Sequence, residues 1–177
     1  MNVLVIYASK YGGTRGIAGR VAEVLSASGV NAVAQSVISP ADLSGYDAIV
    51  LGSAVYMGSW MKEAVTFARQ NRDVLASRPI WLFSSGPLGT AMSDSHGHEV
   101  REGAVPKQLT ELRDMLGVRD HRVFFGVSDH AHFDLRDKLI YAVPGGKKLL
   151  IDGDFRDWTE VEAWAKEIAL ALKPALT

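Results

Sequence analysis

Residues 3–8, Val3-Leu4-Val5-Ile6-Tyr7-Ala8, form a continuous apolar run with no polar alternation. A strand of that kind offers no face to water, so it demands cover on both sides and a place inside a parallel sheet. It breaks directly into Ser9-Lys10-Tyr11-Gly12-Gly13-Thr14, and then into a helix over 15–27 with Ile17, Ala18, Val21, Ala22, Val24 and Leu25 on one face. Strand, tight turn and helix in direct succession aim the helix's first peptide N–H groups at one point, where the positive end of its dipole adds to them. Hydroxyls at Ser9 and Thr14 bracket that point, and Gly12 and Gly13 permit close backbone approach. The set suits a phosphate monoester, and it also suits an ordinary turn and cap. The turn lacks the Gly-Lys-Ser/Thr ending of a nucleoside-triphosphate loop. Gly12, Gly13 and Gly16 miss the G-x-G-x-x-G spacing of dinucleotide binders.

Strand and helix signals alternate to the end of the chain. Strands are predicted at 31–38 (alternating, edge-ward), 47–52, 80–84 and 121–127, and helices at 61–77, 106–116 and 158–172. Trp81, Trp164, Met61 and Met115 read as packing residues, and Asp157 with Glu160 as the cap of the last helix. Five strands alternating with helices predict an α/β fold, a doubly wound parallel sheet covered on both faces by right-handed crossovers. The 177 residues suit one domain, 1–177. Residues 128–157 are the irregularity, with a helical piece at Leu135, Leu139 and Ile140, then Pro144-Gly145-Gly146. That insertion is too long for a plain connection and is expected to serve function.

The chain has no cysteine, so redox chemistry would have to come from a bound cofactor. With 19 basic and 20 acidic residues, net charge −1, nothing advertises a nucleic-acid partner. Met1-Asn2 leads straight into the first strand, and no apolar run approaches the roughly 20 residues of a membrane span, so a cytoplasmic location is expected. Peripheral membrane contact, through the amphipathic piece at 135–142, stays open. So does the oligomeric state, a dimer included.

In a doubly wound sheet, ligands bind beyond the carboxyl ends of the strands, where strand order reverses. The loops after the first, third and fourth strands share that crevice. The second of them is Ser53-Ala54-Val55-Tyr56-Met57-Gly58-Ser59-Trp60, and the third is Ser84-Ser85-Gly86-Pro87-Leu88-Gly89. Phosphate donors at one end and flat apolar surfaces at the other suit a phosphorylated planar ring. Stacking by Tyr56 or Trp60 would contribute roughly 0.5–1.5 kcal/mol beyond area burial. On these three loops, in this order, the chain resembles the flavodoxin family, itself a standard illustration of the crevice rule. The resemblance implies a five-stranded sheet of order 2-1-3-4-5 and flavin mononucleotide (FMN) as cofactor. It assigns the phosphate to Ser9, Lys10, Tyr11, Gly12, Gly13 and Thr14. It places Ala54, Val55, Tyr56, Met57, Gly58 and Trp60 on one side of the ring, and Ser84, Ser85, Gly86, Pro87, Leu88 and Gly89 on the other. Tyr11 stands where the family usually has Thr.

The run Gly52-Ser53-Ala54-Val55-Tyr56-Met57-Gly58, the 128–157 insertion and Asp157-Trp158 are similar to the menaquinone-dependent protoporphyrinogen IX dehydrogenases of haem synthesis. That resemblance implies an FMN-dependent oxidoreductase moving two electrons between an organic donor, protoporphyrinogen-like or other, and a quinone. The insertion would shape the substrate side, with Arg136, Lys138, Lys147 and Lys148 as basic partners for propionates. The alternative is an electron-transfer or FMN-binding module without its own substrate, working with a redox protein. Residues 53–60 and 84–91 contain no acid and Lys10 sits in the phosphate loop. Full reduction of the flavin is therefore expected to be easier than in an acidic shuttle. His130 and His132 are the candidates for proton handling. Residues 94–99 and 129–134 repeat a D-x-H-x-H pattern, but no helical i,i+4 pair fixes the ligands, and no metal site is expected.

Overall fold

A computed structural model describes residues 1–39, 42–86, 88, 100–102, 105–143 and 151–173. Its main sheet is built from β1 (Asn2–Ala8), β2 (Asn31–Ser36), β3 (Ala48–Tyr56), β5 (Ile80–Ser85) and β6 (Asp120–Phe124), all parallel, in the order β2-β1-β3-β5-β6. Between β3 and β5 the two-residue β4 (Ser59–Trp60) folds back antiparallel on the end of β3. The five parallel strands thus stand in the order expected from the sequence, with one hairpin strand added to the count. Helices α1 (Gly13–Ala27), α2 (Lys62–Gln70), α3 (Arg72–Ala76), α4 (Leu109–Leu116), α5 (Leu135–Ala142) and α6 (Trp158–Leu172) follow in chain order. No helix among the described residues is long and apolar enough to cross a membrane.

The apolar run of β1 is explained by its central position. Strand alternation sends Val3 and Val5 into one core with Ile17, Val21, Phe83, Phe124 and Trp164. Leu4 and Ile6 go into the other, with Ile49, Leu51, Ala64, Leu82 and Leu112. All four are 0% exposed. Trp164 stands edge-on to Phe83 and Phe124, ring centres 6.1 and 5.5 Å away, and its indole N–H donates to Asp120 at 2.9 Å. Asp157 caps α6 by accepting the Glu160 N–H at 3.1 Å. The Glu160 carboxylate is held by Arg101 at 2.5 and 2.9 Å.

Three boundaries differ from the periodicity. The helix expected at 61–77 is divided at Asn71, whose φ −108° and ψ 19° depart from helical values; its side-chain amide donates to the Phe67 carbonyl at 2.9 Å beside its own N–H at 3.1 Å. The helix expected from 106 begins at Leu109, because Pro106 and its neighbours form a preceding turn. The strand expected to reach Val127 stops at Phe124. Beyond it the chain bends away, and β7 (Val127–Ser128) pairs antiparallel with β8 (Gly153–Asp154) as a second small sheet.

Gly52 sits on β3 opposite Phe83, where a Cβ would overlap the Phe83 ring. That ring is itself pinned by Phe124 and Trp164. Gly52→Ala is expected to cost about 1–3 kcal/mol through overpacking. Gly19→Ala, on α1 with nothing within 4 Å of the new methyl, is expected to gain about 0.5–1 kcal/mol. Urea denaturation of the two variants checks both signs.

Candidate cofactor site

The carboxyl ends of β1, β3 and β5 converge on one cleft. The first loop turns because Gly12 adopts φ +87°, the left-handed region that favours glycine. Its N–H donates to Ser9 Oγ at 3.0 Å, and its carbonyl accepts the Gly16 N–H at 2.9 Å as α1 begins. Gly13 lets the insertion close on this turn, since a Cβ there would lie 2.8 Å from Val127 Cγ1. Thr14 is buried, and its hydroxyl lies 3.1 Å from that of Ser85, tying the first loop to the third.

The cleft is lined by Ser9, Lys10, Tyr11, Gly13 and Thr14 from the first loop, Ala54, Val55 and Tyr56 from the second, and Ser85, Gly86 and Leu88 from the third. Five further residues were not signalled by the sequence. Gly126, Val127, Ser128, Phe133 and Asp137, from the end of β6 and the insertion, complete the wall. Other expected residues stand back from it. Met57 and Gly58, at φ +51° and +70°, form the hairpin tip between β3 and β4, with Met57 85% exposed. Gly12 serves as the hinge of the first turn, off the lining. Pro87 and Gly89 lie outside the described residues.

Trp60 and Ser84 are buried behind the wall. Trp60 Nε1 donates to Ser84 Oγ at 2.8 Å, and Ser84 Oγ lies 2.8 Å from His121 Nε2. An indole N–H can only donate, so the Ser84 oxygen accepts from Trp60 and keeps a lone pair and its proton for the contact with His121. Burial, helped by the Arg113 charge, pushes the His121 pKa down to about 4. His121 carries no motif in the sequence, and only the fold reveals its role.

The insertion brings charge to the first loop. Asp137, 8% exposed, accepts from Lys10 Nζ at 2.7 Å and from the Tyr11 hydroxyl at 2.5 Å. Asp134 pairs with Lys10 at 2.8 Å, its N–H donates to the Tyr11 hydroxyl at 3.1 Å, and its carboxylate accepts the Asp137 N–H at 2.9 Å. Phe133 packs on Tyr11 with ring centres 5.6 Å apart, and Lys10 Nζ lies 5.4 Å over the Tyr56 ring. Burial alone would lower the Lys10 pKa, but its bonds to Asp134 and Asp137 outweigh that and raise it. Burial pushes the Tyr56 phenol up to about 12. The expectation of a site without carboxylates therefore does not hold: the three loops have none, and the insertion supplies two.

His130 and His132 lie outside the cleft. Both are exposed, His130 Nδ1 pairing with Asp152 and His132 Nδ1 with Asp129 at 2.9 Å. Residues 94–99 lie outside the described residues, and among the described residues no three His, Asp or Glu side chains gather as a metal site. Lys138 is exposed, while Lys147, Lys148 and the Arg136 side chain lie outside what is described.

A flavodoxin domain model matches residues 4–143, most of the chain. The chain belongs to the flavodoxin domain family. Its structural neighbours include a flavodoxin from the domain Archaea (14% identity, 98% of this chain and 100% of that chain covered, TM-score 0.60) and a mutant flavodoxin from Pseudomonas aeruginosa (21%, 98% and 100%, TM-score 0.62). The Flv1 flavodiiron core from Synechocystis also matches (16%, TM-score 0.62), with 97% of this chain spanning 36% of that one. No curated protein sequence matches the chain. FMN is the cofactor of the flavodoxin family, and the donor set here fits it. Hydroxyls, a left-handed glycine and an open helix N-terminus come from the first loop, and the Tyr56 ring from the second.

His121 binds a proton only near pH 4 in the fold, against an ordinary value of 6.5. Between those values the unfolded chain holds more protons than the native one, so stability falls as pH drops from about 6.5 to about 4. The urea midpoint is expected to decline over that interval. His121→Gln, whose amide keeps a hydrogen-bond partner for Ser84, is expected to flatten the decline.

Proposed function

We propose that this flavodoxin-family protein is an FMN-dependent electron-transfer protein that exchanges electrons with a redox partner at the Tyr56–Met57 edge of the cleft. The observation that carries the reading is the hairpin tip, where Tyr56 lines the cleft and Met57 projects to solvent beside it. Bound FMN supplies the electron chemistry. The chain's own residues hold and orient it. Ser9, Thr14 and the open amides of α1 suit the phosphate, and Tyr56 offers a face for the ring. A partner that docks over an exposed tip needs no substrate pocket, which is what separates a carrier from a dehydrogenase. A cytoplasmic location accords with this reading.

The second reading is a quinone-linked dehydrogenase with a protoporphyrinogen-like donor. It is favoured by the insertion, which adds Phe133 and Asp137 to the wall and leaves Leu135 and Leu139 exposed beside the site, an apolar surface suited to a hydrophobic donor, a quinone or a membrane edge.

Reductive titration of the FMN-loaded protein, followed by visible absorbance, separates the two. Two resolved one-electron steps, with electron delivery to a redox protein and no quinone turnover, are the expected outcome. A single two-electron step with steady turnover of menadione or of a porphyrinogen would transfer the assignment to the dehydrogenase.

A further inference from the structure

Helix α5 is docked in an unusual way. Among its described side chains only Asp137 is buried, while Leu135 and Leu139 are 78% and 63% exposed. An amphipathic helix normally turns its leucines inward and its charges outward. Here the charge points inward and is held by the ammonium of Lys10 and the hydroxyl of Tyr11, both on the phosphate loop. An ammonium and a hydroxyl are also the donors a phosphate dianion attracts. The ends of β1, β3 and β5 are held in the sheet, while the described contacts of α5 with the first loop run from Asp137 to Lys10 and Tyr11, with Phe133 packed on Tyr11 at its entry.

We propose that α5 is a latch on the cofactor site: Asp137 holds Lys10 and Tyr11, and a flavin phosphate competes for them, so that FMN enters as α5 lets go. The inference rests on the FMN reading above. It makes Asp137 a residue that sets how strongly the site favours phosphorylated over unphosphorylated flavin, because only the phosphate competes with the carboxylate.

Asp137→Asn removes the competing charge and keeps the shape. Titration of flavin fluorescence is expected to show FMN bound about tenfold more tightly by the variant, with riboflavin affinity unchanged. In the unaltered protein, FMN is expected to speed amide hydrogen exchange across 135–142 while slowing it in β1 and α1. That second measurement needs no variant, so the latch stays testable if Asp137→Asn does not fold. FMN binding no tighter in the variant, equal tightening of both flavins, or protection of 135–142 by FMN would overturn the latch and leave the FMN reading standing. An unaltered protein that binds neither flavin would overturn both.

Discussion

The peptide N–H groups that open α1 have no carbonyl four residues earlier to bind, and β1 delivers the chain to that point from a position covered on both faces. The turn between them has to be short, and Gly12 makes it so by adopting a conformation that other residues enter only with strain. The surrounding contacts follow from that tightness. Ser9 can reach the Gly12 amide, Thr14 is drawn far enough in to meet Ser85, and Val127 can close against Gly13. Arg156 fills the hollow left by Gly16 one turn further on and stacks on Trp158. The first loop therefore positions the insertion and the start of α6 as well as the cofactor donors.

Those parts of the fold in which several local signals agree were legible from the residues. In α6 the Asp157 cap, the apolar face through Trp164 and Ile168, and the end at Leu172 all point to the same boundaries, and the structure has them. The uninterrupted apolar runs of β1 and β5 are buried on both faces for the reason their composition suggests. The break at Asn71 was not legible, because it turns the backbone at one residue while the apolar spacing runs on at either side of it. Nor was the contribution of the insertion. Asp137 meets Lys10 across 127 residues of sequence, and no local period encodes where such a segment folds back.

That long-range contact changes the electrostatic argument most. Along the chain, the three loops at the cleft hold one lysine and no acid. In space, Lys10 is flanked by two carboxylates, one of them buried. Three charges this close act on anything beside Tyr56 as a compact cluster, and one cation set against two anions leaves it with a net charge of −1. A preference for full reduction cannot be inferred from Lys10 alone. The lysine of the first loop therefore does not favour a dehydrogenase over a carrier, and the exposed Tyr56–Met57 tip is the stronger guide.

The same cluster bears on motion. A helix held by apolar burial opens only with the surrounding core, whereas one held by an ion pair and a hydroxyl opens at whatever those bonds are worth net of desolvation. Asp137 is the buried residue among the described side chains of α5, so its bonds to Lys10 and Tyr11 enter the free energy of local opening there. Anything that redirects Lys10 or Tyr11 changes that opening free energy directly, because both bonds to Asp137 come from the loop itself. The phosphate loop and the insertion are thus one thermodynamic unit, although the rest of the sheet lies between them in sequence. Occupancy of the loop and docking of α5 are linked, and each must alter the other by the same factor.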